Sequence, residues 1–99
     1  MGLDNIWIEP AGKTLKAVTF NPPLQLWVGM LTDPARSFRG KAYAGYVQEV
    51  SGVDLYEDLD NATVLKVATG LEGFVTHASD LARMFRAFGD AGYCLHAWF

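Results

Sequence analysis

The chain has 99 residues, of which 51% are hydrophobic and 19% charged, with a formal net charge of −3. The charged share lies below the roughly 25% of an average globular domain, which excludes disorder as a whole-chain reading. The length fits one domain, residues 1–99, and the charge balance excludes the broad basic stripe of a nucleic-acid binder.

The elements follow in chain order. Ile6-Trp7-Ile8 is a short β-branched and aromatic run ended by Pro10, and Ala11-Gly12 reads as a turn. Thr14 to Phe20 alternates as a strand until Asn21-Pro22-Pro23 stops it. Leu24 to Met30 alternates again, with Leu24, Leu26, Val28 and Met30 opposite Gln25, Trp27 and Gly29. Connections this short favour an antiparallel meander. After the loop at Thr32-Asp33-Pro34 the pattern turns helical. Ser37 is placed to cap a helix carrying Phe38, Ala42, Tyr46 and Val50, with Gly52 at its end. The small residues Gly40, Ala44 and Gly45 leave room for another element to approach that helix.

Asp54-Leu55-Tyr56-Glu57 has capping-box spacing and predicts one turn through Leu59. Asp60 or Asn61 then caps a helix whose apolar face is Val64, Val67, Ala68, Leu71 and Val75. Ser79 caps a last helix with Leu81, Met84, Phe85 and Phe88 inward, ended by Gly89 or Gly92. Tyr93 to Phe99 alternates as a strand, with Tyr93, Leu95, Ala97 and Phe99 opposite Cys94, His96 and Trp98. The order β-β-β-α-α-α-β predicts an α+β domain, an antiparallel sheet of three to four strands with three helices packed on one face. If the aliphatic rows Ile6/Ile8, Leu26/Val28 and Leu95/Ala97 face the helices, Trp7, Trp27 and Trp98 face outward together. They would then form an interface with a second copy or a partner, since large aromatics favour interface centres. The alternative is that other segments cover them within the monomer.

The basic cluster Arg36, Ser37, Arg39, Gly40 and Lys41 offers a second candidate. At a helix N-terminus, free N–H groups and the helix dipole favour a phosphate or carboxylate, and Gly40 would let a ligand approach the backbone. No P-loop pattern is present, and Arg39 and Lys41 diverge by about 200° on an ideal helix. A capped helix with solvated charges is the competing reading.

The negative charge is local: residues 1–53 sum to +1, residues 61–99 to zero, and Asp54, Glu57, Asp58 and Asp60 carry the rest. That segment lacks the EF-hand pattern, so it predicts no metal site, although it would attract a basic partner. Cys94 and His96 share a strand face, but no third catalytic group follows from the sequence, and His77 reads as solvated. No catalytic residues, metal ligands or cofactor motif are predicted. The single cysteine and the absence of a signal-peptide pattern favour a reducing cytoplasm. No stretch of 18 apolar residues predicts a membrane span.

Met1-Gly2-Leu3-Asp4-Asn5, Ser37-Phe38-Arg39-Gly40-Lys41-x-Tyr43 and Gly52-x-x-Leu55-Tyr56 together resemble a group of short, uncharacterised bacterial and phage proteins. Those proteins open with Gly-Leu-Asp and carry a Phe-Arg-Gly-Lys segment. The resemblance implies no activity, but it marks Asp4, Asn5, Arg39 and Lys41 as expected neighbours. If Asp4 is buried against Arg39, the pair would be a structural lock. The expectation is a small cytoplasmic protein without enzymatic activity, acting by protein interaction as a homodimer or a phage-type accessory protein. The alternative is a module that binds a small anion at residues 36–41.

Overall fold

The computed structural model describes residues 2–10, 12, 15, 18, 36–73 and 79–99. The β-branched run near the start forms β1 (Asp4–Ile8), the middle strand of an antiparallel sheet. On one side lies β2 (Ser37–Phe38), with Asn5 opposite Phe38 and Ile6 opposite Ser37. On the other lies β3 (Cys94–Trp98), in register from Asp4 opposite Trp98 to Ile8 opposite Cys94. Leu59 bridges the far side of β3. Its N–H donates to Leu95 O at 2.8 Å, and Leu95 N–H donates back at 2.9 Å. Among the described residues the sheet thus has three strands and a one-residue fourth. Of the strands expected over 14–30 only residues 15 and 18 are described, neither of them in a strand, and the rest lies outside the described residues.

Three helices follow: α1 (Ala44–Ser51), α2 (Asn61–Glu72) and α3 (Ser79–Asp90). Gly52 ends α1 at φ 73°, where a left-handed residue lets its N–H reach Gln48 O at 2.8 Å. Asp60 starts α2 by accepting hydrogen bonds from Thr63 N at 2.9 Å and Thr63 Oγ1 at 2.6 Å. The expected inward residues Val64, Val67, Ala68 and Leu71 are buried, as are Leu81, Met84, Phe85 and Phe88 of α3. Val75 lies outside the described residues. Asn61 joins the end of α3 to the entry of β3, because its Nδ2 donates to both Gly89 O (2.9 Å) and Tyr93 O (3.0 Å).

Two local expectations are corrected. Ser37 does not cap a helix. It lies in β2, paired across from Ile6, and only a 3₁₀ turn at Gly40–Ala42 separates the strand from α1. The four-residue spacing of Phe38, Ala42 and Tyr46 therefore spans a strand, a 3₁₀ turn and a helix, because β1 recruits Ser37 and Phe38 into the sheet. The 54–57 segment also forms no capping box. Asp54 Oδ1 accepts from Tyr56 N at 2.9 Å, a tight Asx turn that leads Leu59 to its bridge with β3.

The largest correction concerns sheet orientation. Trp7 is 1% exposed and faces the helices with Asn5 and Leu95. It stacks on Phe88 with centroids 4.7 Å apart and planes 1° apart, and meets Phe85 edge-on at 5.0 Å and Phe38 at 5.9 Å. Aromatic contacts of this kind contribute about 0.5–1.5 kcal/mol each beyond area burial. Ile6 and Ile8, expected inward, take the opposite face. Apolar residues at 6, 7 and 8 satisfy either orientation, and the aromatic partners on α3 decide between them.

Candidate interaction surface

Because alternation along a strand is strict, placing Trp7 inside puts Ile6, Ile8, Cys94, His96 and Trp98 on the outer face. Ile6, Cys94 and His96 are half-buried there, whereas Ile8 is 43% and Trp98 52% exposed. Of the three tryptophans expected outward together, Trp98 alone is found there. Trp7 is core, and Trp27 lies outside the described residues.

A second exposed aromatic group sits where β3 ends. Phe99 meets Tyr56 edge-on at 5.4 Å, and both rings are exposed. The chain holds this corner firmly. Asp58 Oδ1 accepts Ala97 N–H at 2.9 Å and lies 3.0 Å from His96 Nδ1, so a side-chain oxygen continues the hydrogen bonding that Leu59 begins along the edge of β3. The Ala97 hydrogen bond, and then the neighbouring His96, hold the Asp58 carboxyl below its ordinary range.

The basic cluster does not lie at the N-terminus of an α-helix capped by Ser37: Ser37 and Phe38 are in β2, a 3₁₀ turn begins at Gly40, and α1 starts only at Ala44. Arg36 is exposed, with its guanidinium 5.3 Å above the Tyr93 ring and 3.8 Å from Glu9. Ser37 is buried within β2, Arg39 is half-buried before the 3₁₀ turn, and the Lys41 side chain is exposed. Gly40 is buried against Asn5 rather than open to a ligand. A Cβ there would stand 1.6 Å from Asn5 Oδ1 and 3.1 Å from Leu3.

Those contacts give the three motif segments a structural role. Lys41 N–H donates to Leu3 O at 3.1 Å, and Asn5 Nδ2 donates to Leu55 O at 2.9 Å. Asn5 therefore joins β1, the Gly40 turn and the loop after Gly52 at one fully buried point. Its Oδ1 and Trp7 Nε1 are buried with no hydrogen-bond partner among the described residues. Sequence reasoning missed this junction, although the run Leu3-x-Asn5-x-Trp7 places Asn5 on the Trp7 face once Trp7 is known to point inward. Asp4, whose full burial would have been needed for a lock with Arg39, is half-buried opposite Trp98.

Asp58 also supplies a carboxylate beside His96, with Cys94 two residues away on the same face. Among the described residues no hydrogen bond reaches the Cys94 thiol. No group of three or more His, Cys, Asp or Glu that could hold a metal ion occurs among the described residues. None of the described helices is long and apolar enough to cross a membrane. Comparison with protein-family models, with curated proteins and with solved structures gives no match for the chain.

Proposed function

We propose that this chain is a small protein-interaction module that pairs with a second copy of itself through the outer face of β1 and β3. The observation that carries the reading is the exposure of Ile8 and Trp98 on one sheet face, beside half-buried Ile6 and Cys94. That face carries little charge, with Asp4 and His96 at its ionisable positions. It suits an isologous contact, where each residue meets a copy of its neighbours and like charges would repel. A cytoplasmic setting fits the single cysteine, half-buried on this face. The acidic balance argues against nucleic acid as the partner. The resemblance to short bacterial and phage proteins is in keeping with an accessory role rather than catalysis.

Sedimentation velocity tests the reading. The chain is expected to shift towards two-chain mass as its concentration rises through the micromolar range, and Trp98→Ser with Ile8→Ser should return it to a monomer. A strict monomer at high micromolar concentration rejects self-association. The anion-binding alternative has lost the Ser37-capped α-helix on which it rested, and no other observation favours it.

A further inference from the structure

We infer that the corner where Tyr56 and Phe99 meet, flanked by the acidic segment 54–60, docks an extended, Arg- or Lys-bearing segment of a partner protein. The corner adjoins the outer sheet face at His96, which Asp58 contacts, but Tyr56 and Glu57 lie on the loop before α2, and the corner's occupant has the opposite electrostatic requirement. Asp54, Glu57, Asp58 and Asp60 surround Tyr56 in the sequence, and no Lys or Arg occurs between Lys41 and Lys66. Arg36, Arg83 and Arg86 are engaged elsewhere, by Glu9, by Asp80, and by Glu72 with Asp90. Two copies meeting at this corner would bring eight carboxylates together, so a second copy is a poor occupant.

A cationic segment satisfies both features of the corner. The edge-on arrangement of Tyr56 and Phe99 leaves ring surface open, over which a guanidinium or ammonium is attracted by the ring quadrupole. The flanking carboxylates then neutralise the charge, and Arg can do so with two parallel hydrogen bonds. The corner is also preorganised. Asp54 fixes Tyr56 N–H, Asp58 fixes Ala97 N–H beside the end of β3, and Asp60 fixes the start of α2. Little ordering is therefore left to be done on binding.

The test is an amide-resolved NMR titration of the whole chain with a synthetic peptide of alternating Arg and Ser, and with its Glu-for-Arg counterpart. Saturable shifts are expected at residues 54–60 and 96–99 with the Arg peptide and none with the Glu peptide, weakening as salt rises. Tyr56→Ala should weaken binding about tenfold through loss of the cation–ring contact, and Tyr56→Phe should restore it. Glu57→Gln, which changes an exposed side chain, should weaken it less and keeps the test open if Tyr56→Ala fails to fold. Saturation at remote amides, equal affinity for Glu57→Gln and the parent, or no saturable shift overturns the inference. Sedimentation of the peptide-free chain reports self-association independently, so failure of one reading is distinguishable from failure of the other.

Discussion

Trp7 and Trp98 lie on two paired strands of one sheet, yet one is 1% and the other 52% exposed. Neither residue type nor strand propensity separates them, because both are large aromatics in short apolar runs. The difference comes from what stands opposite. Trp7 shares its face with Asn5 and Leu95 and meets three phenylalanines, two of them from α3. Trp98 lies across from Asp4 at the far end of the ribbon, on the face away from that cluster. The inner tryptophan belongs to the core, while the outer one keeps half of its surface exposed.

The sharpest way to break that contrast is to truncate each ring. Trp7→Ala removes a fully buried indole and should cost about 3–5 kcal/mol in denaturant unfolding, enough to threaten folding outright. Trp98→Ala should stay within about 0.5 kcal/mol of the parent in the same measurement while changing the sedimentation profile. Comparable losses at the two sites would mean that Trp98 is also structural, and the interaction reading would go with it.

Next in size is the buried junction that holds β1 in place. Gly40→Ala drives a methyl into Asn5 Oδ1 and should cost about 1–3 kcal/mol, as overpacking does. Asn5→Ala leaves Leu55 O buried without its donor, a loss of about 1–3 kcal/mol. Made together, the two changes should cost less than their sum, because removing the Asn5 side chain makes room for the methyl. Strict additivity in a double-mutant cycle would refute the close contact between Asn5 and Gly40.

Smaller effects lie on the exposed polar devices. Asp60→Ala removes the α2 cap and should lower the thermal midpoint modestly, with the loss of amide protection confined to the first turn of α2. Acid gives a related test. Hydrogen bonds from Thr63 hold Asp60 below its ordinary range, and the Arg86 guanidinium does the same for Glu72. A depressed carboxyl stabilises the folded chain above its unfolded-state pKa and loses that contribution as pH falls through the folded value. Stability should therefore be flat near neutrality and decline below about pH 4.5. In Glu72→Gln the decline should be shallower, which pH-dependent thermal melts can resolve.

Much of the architecture was legible in the sequence because its signals are local. The 3.6-residue spacing of Val64, Val67, Ala68 and Leu71 and of Leu81, Met84, Phe85 and Phe88 defined two helices and their inward faces. Asp60, Gly52 and the alternation from Tyr93 to Phe99 marked a start, a stop and a strand for equally local reasons. Those features also carried the α+β class with an antiparallel sheet. Tertiary structure decided what local pattern leaves degenerate. Ser37 and Phe38 fit a helix or a strand, and β1 claimed them by hydrogen bonding. Residues 6–8 are apolar on both faces, and the aromatic cluster on α3 chose Trp7 for the interior. The partners of Asn5 lie 35 and 50 residues away, at Gly40 and Leu55, and the 38-residue reach from Asp58 to His96 is equally remote. Contacts at such separations are set by how the packed elements bring the chain together, a choice that periodicity along the sequence does not encode.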